Sequence, residues 1–159
     1  MLSITGLVTT PRSFTFADLA AIPAEHQVAD VSRLVPGRKG DAVKLAGLLA
    51  LVEPQSSATW LGLHATRDDF HASIPLDAVL DKALVIYRLE GQPLPEKSGG
   101  PVRFFIPDFA ACHTHEIDEC ANVKFVDRLE LTSAKGFDNR PHDGDAHAAL
   151  HAKEAERGA

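Results

Sequence analysis

Positive charge is in short supply. Sixteen Lys and Arg face 22 Asp and Glu, leaving a net charge of −6. That balance argues against nucleic acid as the main partner, because a phosphate backbone is held by a basic surface. Cysteine is scarce as well, and two in 159 residues do not make a disulfide framework. No run of 18 apolar residues occurs, so no membrane-spanning helix is expected. The opening MLSITGLVTT has neither the basic start nor the continuous apolar stretch of a signal peptide and reads as a strand. A cytoplasmic location is the expectation, or a periplasmic one for a chain trimmed of its leader. There is no nucleophile elbow, no GxGxxG or GxxxxGK phosphate loop, no HExxH and no internal repeat. No residue stands out as catalytic.

What is present suits one domain with a proper core. Residues 2–10 alternate and suit an edge strand. Thr15 is placed to cap a short helix, with Asp18 three residues on completing a capping box. Residues 26–41 form a polar passage with a basic cluster, Arg33, Arg38 and Lys39, suited to an anion or simply to solvent. Residues 41–52 (DAVKLAGLLALV) read as a helix with Val43, Leu45, Leu48, Leu49 and Val52 on one broad side. Strands are expected at 58–65, 70–74, 83–89, 102–106 and 123–131, with a short helix at 76–80 and a turn at Glu90-Gly91. In 123–131 the alternation sets Val123, Phe125, Asp127, Leu129 and Leu131 on one face. Residues 1–135 make the domain. Residues 136–159 are polar and show no core face, and 146–157 are Ala-rich and helix-prone. His147 and His151 there have i, i+4 spacing, which suits a surface or a chance metal binder. The fold class is α+β, mixed and β-rich, with short flanking helices.

One stretch has a composition that no core requires. CHTHEIDEC, residues 112–120, holds both cysteines, two histidines and three carboxylates. Cys112, His113, His115 and Cys120 are candidate ligands for a Zn or Fe ion, since thiolate and imidazole together suit such metals. The competing readings are a disulfide, a redox thiol pair and a solvated loop. His64, in an apolar strand, reads as a core histidine.

The order of features from LAGLL (45–49) through LGLHA (61–65), DDFHASIPL (68–76), GQPLPEKSGGPVRFFIP (91–107) and NVKFVDRLEL (122–131) resembles the oxidoreductase molybdopterin-binding domain, the sulfite-oxidase fold. The resemblance covers residues 2–132. It implies a mixed, β-rich domain that cradles the pyrophosphate of a pterin, molybdopterin, a small anionic cofactor, with Arg103 at the family's PvR arginine and Lys124 at its vK lysine. A guanidinium fork and a lysine suit phosphate. From the residues alone, an Arg103 pair with an acid such as Asp127 and an exposed Lys124 are equally open. His71, beside Phe70, is a third candidate for the cofactor cleft. The resemblance also implies a molybdenum-ligating cysteine before the LAGLL helix, where this chain has Ala29, Asp30 and Val31, and a tyrosine where it has Phe70. Two functions follow: a redox protein related to the oxidoreductases with a degenerate molybdenum site, or a non-enzymatic metal-binding or interaction module that uses the CHTHEIDEC loop. A protein partner or a homodimer fits either.

Overall fold

Leu2 and Ile4 are fully buried and the residues between them are not, so the first strand, β1 (Leu2–Gly6), keeps the alternation read from its sequence. The computed structural model describes residues 1–141; the Ala-rich segment with His147 and His151 lies outside the described residues. β1 is not an edge. β2 (Arg12–Phe14) pairs antiparallel on one side of it, and β10 (Arg128–Thr132) pairs parallel on the other. β10 continues antiparallel to β5 (Trp60–Ala65), and β5 to β6 (Phe70–Pro75), giving a first sheet in the order β2-β1-β10-β5-β6. Gly6, at φ +87°, ends β1 where a Cβ would run into the Leu131 backbone.

The second sheet is antiparallel. β3 (Gln27–Val28) pairs with β4 (Asp41–Lys44), β4 with β7 (Leu84–Leu89), and β7 with both β8 (Gln92–Pro93) and β9 (Arg103–Phe105). Glu90 and Gly91, at φ +53° and +79°, form the tight turn between β7 and β8. Three short helices flank the sheets: α1 (Phe16–Ala20), α2 (Leu45–Ala50) and α3 (Leu76–Val79). The Thr15–Asp18 capping box of α1 is present in both directions, at 3.1 and 2.9 Å.

Both sheets face one core, in which Leu61, Leu63, Ile74, Leu129 and Leu131 of the first meet Val43, Val85, Tyr87 and Phe104 of the second. The second sheet is covered on its other face too. There Ala42, Leu84, Ile86 and Phe105 pack with Val31 and Leu94 in a smaller cluster under residues 29–40. Alternate residues of β4, β7 and β9 therefore go to different cores.

Two sequence-based boundaries move. Residues 41–52 are not one helix. Asp41–Lys44 is strand β4, held to β7 by its ladder and by the Asp41–Arg88 ion pair at 2.9 Å, and α2 begins at Leu45. The expected inward side survives, since Val43, Leu45, Leu48, Leu49 and Val52 are all buried; a short apolar run fits either period. Residues 123–131 are not one strand either. Phe125 adopts φ +56°, which flips the alternation and turns Val126 into the core. Before the flip the chain runs beside the start of β9, with Phe104 N donating to Val123 O and Val126 N to Val102 O. After it, β10 belongs to the first sheet.

Residues 136–140 correct the expectation of a tail starting at 136. They lie along the outer edge of β6. Gly136 N donates to Ser73 Oγ, Ser73 N to Asp138 Oδ2, and His71 N to Asn139 Oδ1, at 2.8–3.0 Å. The Arg140 side chain is 3% exposed. It donates to both Asp138 oxygens and reaches Asp118 Oδ1 at 3.3 Å, tying this segment to the 108–122 loop. Burial opposes the Asp138 charge, but the Arg140 guanidinium and the N–H groups of Ser73 and Arg140 outweigh it and hold the carboxyl below its ordinary range. Replacing Arg140 by Met leaves a buried carboxylate without its cation. The expected cost is about 3–5 kcal/mol in urea unfolding; a loss under 1 kcal/mol would mean that the segment does not hold the edge.

Candidate functional site

The alternation of β9 aims its one charged residue at the outer face. Val102, Phe104 and Ile106 enter the main core, whereas Arg103 and Phe105 point to the far side of the second sheet. Arg103 sits opposite Ile86 of β7, and both line a cavity of about 360 Å³. The stems of Arg103 and Lys124 cross Gly99, with Arg103 Cδ and Lys124 Cγ each 3.1 Å from where a Cβ would be. Gly99 O in turn accepts from Phe125 N at 2.8 Å. The GGPVR and NVKF segments thus form one unit that delivers two cations to one place.

The opposite wall is the 37–39 loop, with Arg38 and Lys39, and Lys97 and Ser98 close a third side. Arg38 lies over the Phe105 ring at 5.0 Å, and its Nε is buried with no hydrogen-bond partner. Five of the eight lining residues are cations and none is acidic, in a chain of net charge −6. Among the described residues Arg38, Lys39, Lys97 and Lys124 form no ion pair. Two like charges about 7 Å apart repel by about 2 kcal/mol at an effective dielectric of 20. Solvent relieves the exposed Lys39 and Lys97 more than Arg103, which is 7% exposed. Such a cluster is stabilised by an anion. Arg103 and Lys124 are brought together as the sequence suggested; Arg38 and Lys39 read equally well as solvated loop, and Lys97 carried no signal beyond its turn.

His71 is elsewhere. It stands on the outer side of the first sheet, in register with His64 of β5. The two Nδ1 atoms are 2.7 Å apart, His64 Nε2 is 3.0 Å from Glu130 Oε1, and His71 Nε2 is 3.0 Å from Asp69 Oδ1. Gly62 leaves room for this chain, since a Cβ there would meet His64 Nε2 at 2.9 Å. Phe137 packs on the His71 ring. Burial lowers the His64 pKa, with the Glu130 hydrogen bond opposing and Arg128 adding to the drop. His64 Nε2 is placed to donate to the Glu130 carboxylate, and the two Nδ1 atoms share one hydrogen bond whose direction the tautomers set. The histidine read as an ordinary core residue is half of a bonded pair, and the one assigned to the cofactor cleft is the other half.

The 108–122 loop does not assemble a metal centre. Among the described residues no group of three or more His, Cys, Asp or Glu is placed to hold an ion. Cys112 is 7% exposed and packs in the main core with Ile117, Ala121 and Val123. Burial raises its pKa, with Lys82 opposing. Cys120 is half-buried, neither cysteine is in a disulfide, and His113 and His115 are exposed. The carboxylates are engaged: Asp108 and Asp118 cap Ala111 N and Cys120 N, and Glu116 pairs with Lys135 at 2.6 Å. The loop has its own apolar anchors, and among the described residues Cys112, His113, His115 and Cys120 are not gathered into a metal-holding group.

The family model of the oxidoreductase molybdopterin binding domain matches residues 40–139. The chain belongs to this family. Among solved structures, the sulfane dehydrogenase SoxCD of Paracoccus pantotrophus is similar at 23% identity and a TM-score of 0.60, over 84% of this chain and 38% of that one. The fold is thus the sulfite-oxidase-like one, and this chain spans well under half of that relative. No curated protein matches the sequence. The cationic pocket holds the family's two motif cations, and its unpartnered Arg38 Nε suits the phosphate end of a molybdopterin. The lining offers neither thiolate nor imidazole.

The histidine pair generates a pH prediction. With its pKa lowered by burial, His64 binds fewer protons folded than unfolded as pH falls. Its contribution is fully present above the unfolded value of about 6.5 and is lost as pH falls below it. The urea midpoint of the wild type is expected to drop between pH 7.0 and 5.5. His64→Gln should flatten that slope, and an unchanged slope would overturn the assignment.

Proposed function

We propose that this chain binds a molybdopterin-type cofactor by its phosphate end and is a redox protein related to the oxidoreductases whose metal position lacks a cysteine thiolate. The carrying observation is the five-cation, acid-free lining in an acidic chain. Arg103 and Lys124 hold the phosphate from the sheet side and Arg38 from the loop side, with charge-assisted hydrogen bonds. When bound, the cofactor supplies a metal able to exchange oxygen atoms and electron pairs.

By the family resemblance, the metal-ligand position falls nearest residues 29–31. Ala29 offers no donor, and Val31 is fully buried in the smaller core. Asp30 is exposed and left-handed at φ +56°; its carboxylate accepts from Ser32 N at 3.2 Å and sits 3.8 Å from Arg33 Nε. A carboxylate engaged in its own turn does not replace a soft thiolate, which sets a metal's redox character. Phe70, half-buried against the main core, has no hydroxyl to offer the site. Cofactor retention therefore rests on the phosphate cations more heavily than where a sulfur–metal bond shares it.

The test is expression without an affinity tag in a host that makes molybdopterin, followed by pterin fluorescence and elemental analysis. Pterin near one per chain is expected. An Arg103→Gln, Lys124→Gln variant should lose about ten-fold or more of it, given the strength of hydrogen bonds to charged groups. Wild-type protein free of pterin would overturn the proposal.

A further inference from the structure

The outer face of the first sheet carries a titratable cluster that the phosphate pocket does not use. His64, 5% exposed, is fixed there between Gly62 and Glu130. His71 stands on β6, the last strand of its sheet, under the 136–140 segment. That segment grips His71 in three ways. Asn139 Oδ1 accepts from His71 N at 2.8 Å, Asn139 N donates to His71 O at 3.0 Å, and the Phe137 ring lies 4.9 Å from the imidazole, centroid to centroid. Asn139 Nδ2 also donates to Asp69 O at 2.6 Å, while the Asp69 carboxylate faces His71 Nε2.

The hydrogens of the pair can be counted. Each Nε2 is 3.0 Å from a carboxylate oxygen and has room for one. The two Nδ1 atoms, 2.7 Å apart, have room for one between them. At most three hydrogens therefore fit on the four nitrogens, which is one positive charge for two histidines. A fourth would set two N–H groups head to head across that gap, where neither has an acceptor. The other charged groups nearby do not widen it. Arg128 sits 3.6 Å from Glu130, the Asp127 carboxylate accepts from Thr66 N, and Asp138 is paired with Arg140. Once the rings part, each can carry its own charge below the ordinary histidine value of about 6.5. His64 is enclosed and His71 is at an edge, so His71 is the one able to leave.

We infer that the His64–His71 pair is an acid-released latch on the 136–140 segment: uptake of one further proton parts the rings, and His71 swings away from the contacts that Phe137 and Asn139 make with it. The latch does not depend on the pocket or on what fills it. The closed form binds one proton fewer than the open form, so closure holds above about pH 6.5 and weakens below it. Ordinary carboxylates titrate near pH 4 and stay charged across this range. Asp138, held lower still by Arg140, keeps its grip on Ser73 N and tethers the released segment.

The test is amide hydrogen exchange read by NMR on the full chain at pH 7.5 and 5.5, corrected for the intrinsic rate at each pH. One proton taken up on opening raises the opening constant of the His71 and Asn139 amides about ten-fold between these values. That opening exposes little surface, so low concentrations of urea should leave it unchanged. His64→Gln removes one of the two charges and should hold the change between the two pH values within about two-fold. His71→Gln, at the sheet edge, should do the same at position 71 and Asn139 and serves if the buried variant folds poorly. No acceleration in the wild type overturns the latch. So does a variant that still opens in acid, or an acceleration that is urea-dependent and shared with Leu63 of β5, which is global unfolding.

Discussion

The double burial of the second sheet governs the molecule. β4, β7 and β9 must satisfy two cores at once, so every residue on them is committed to one side or the other. Val43, Val85 and Phe104 belong to the core shared with the first sheet, and Ala42, Ile86 and Phe105 to the smaller one. Arg103 falls on the outer side by that same alternation. A buried guanidinium beside an apolar cluster is costly unless something polar faces it, and the gap left by residues 29–40 provides the opening. The same constraint forms the fold and the pocket.

Much of this was legible in the residues. Residues 70–74 read as a strand by their alternation, and 58–65 and 83–89 as short apolar runs bounded by turns. The Thr15–Asp18 box marked a helix start with a local mechanism. The failures have local causes as well. Val43 and Leu45 are compatible with helix or strand, and pairing with β7 decides between them. The left-handed Phe125 is invisible to periodicity, since an aromatic residue is the last expected at positive φ.

The site was half legible. Arg103 and Lys124 sit in motifs, but Arg38, Lys39 and Lys97 join them only through tertiary structure. The composition of the CHTHEIDEC loop admits two physical readings. Cysteine counts equally as a soft ligand and as a small core residue, and Cys112 serves as the latter. The bonded histidines were hidden in a different way. His64 and His71 face each other because β5 and β6 form a hairpin in a particular register, and register belongs to the pair of strands, not to either sequence.

The family match ends at Asn139, one residue before Arg140. A fragment cut at that boundary would contain all ten strands and still lack the guanidinium that neutralises Asp138 and reaches the 108–122 loop. Residues 136–139 would then have little reason to stay on β6, and its open N–H and C=O groups would face a neighbouring molecule. An exposed strand edge is a template for uncontrolled pairing between chains. A residue just outside the matched region thus bears on whether the β6 edge of a chain ending at Asn139 stays covered.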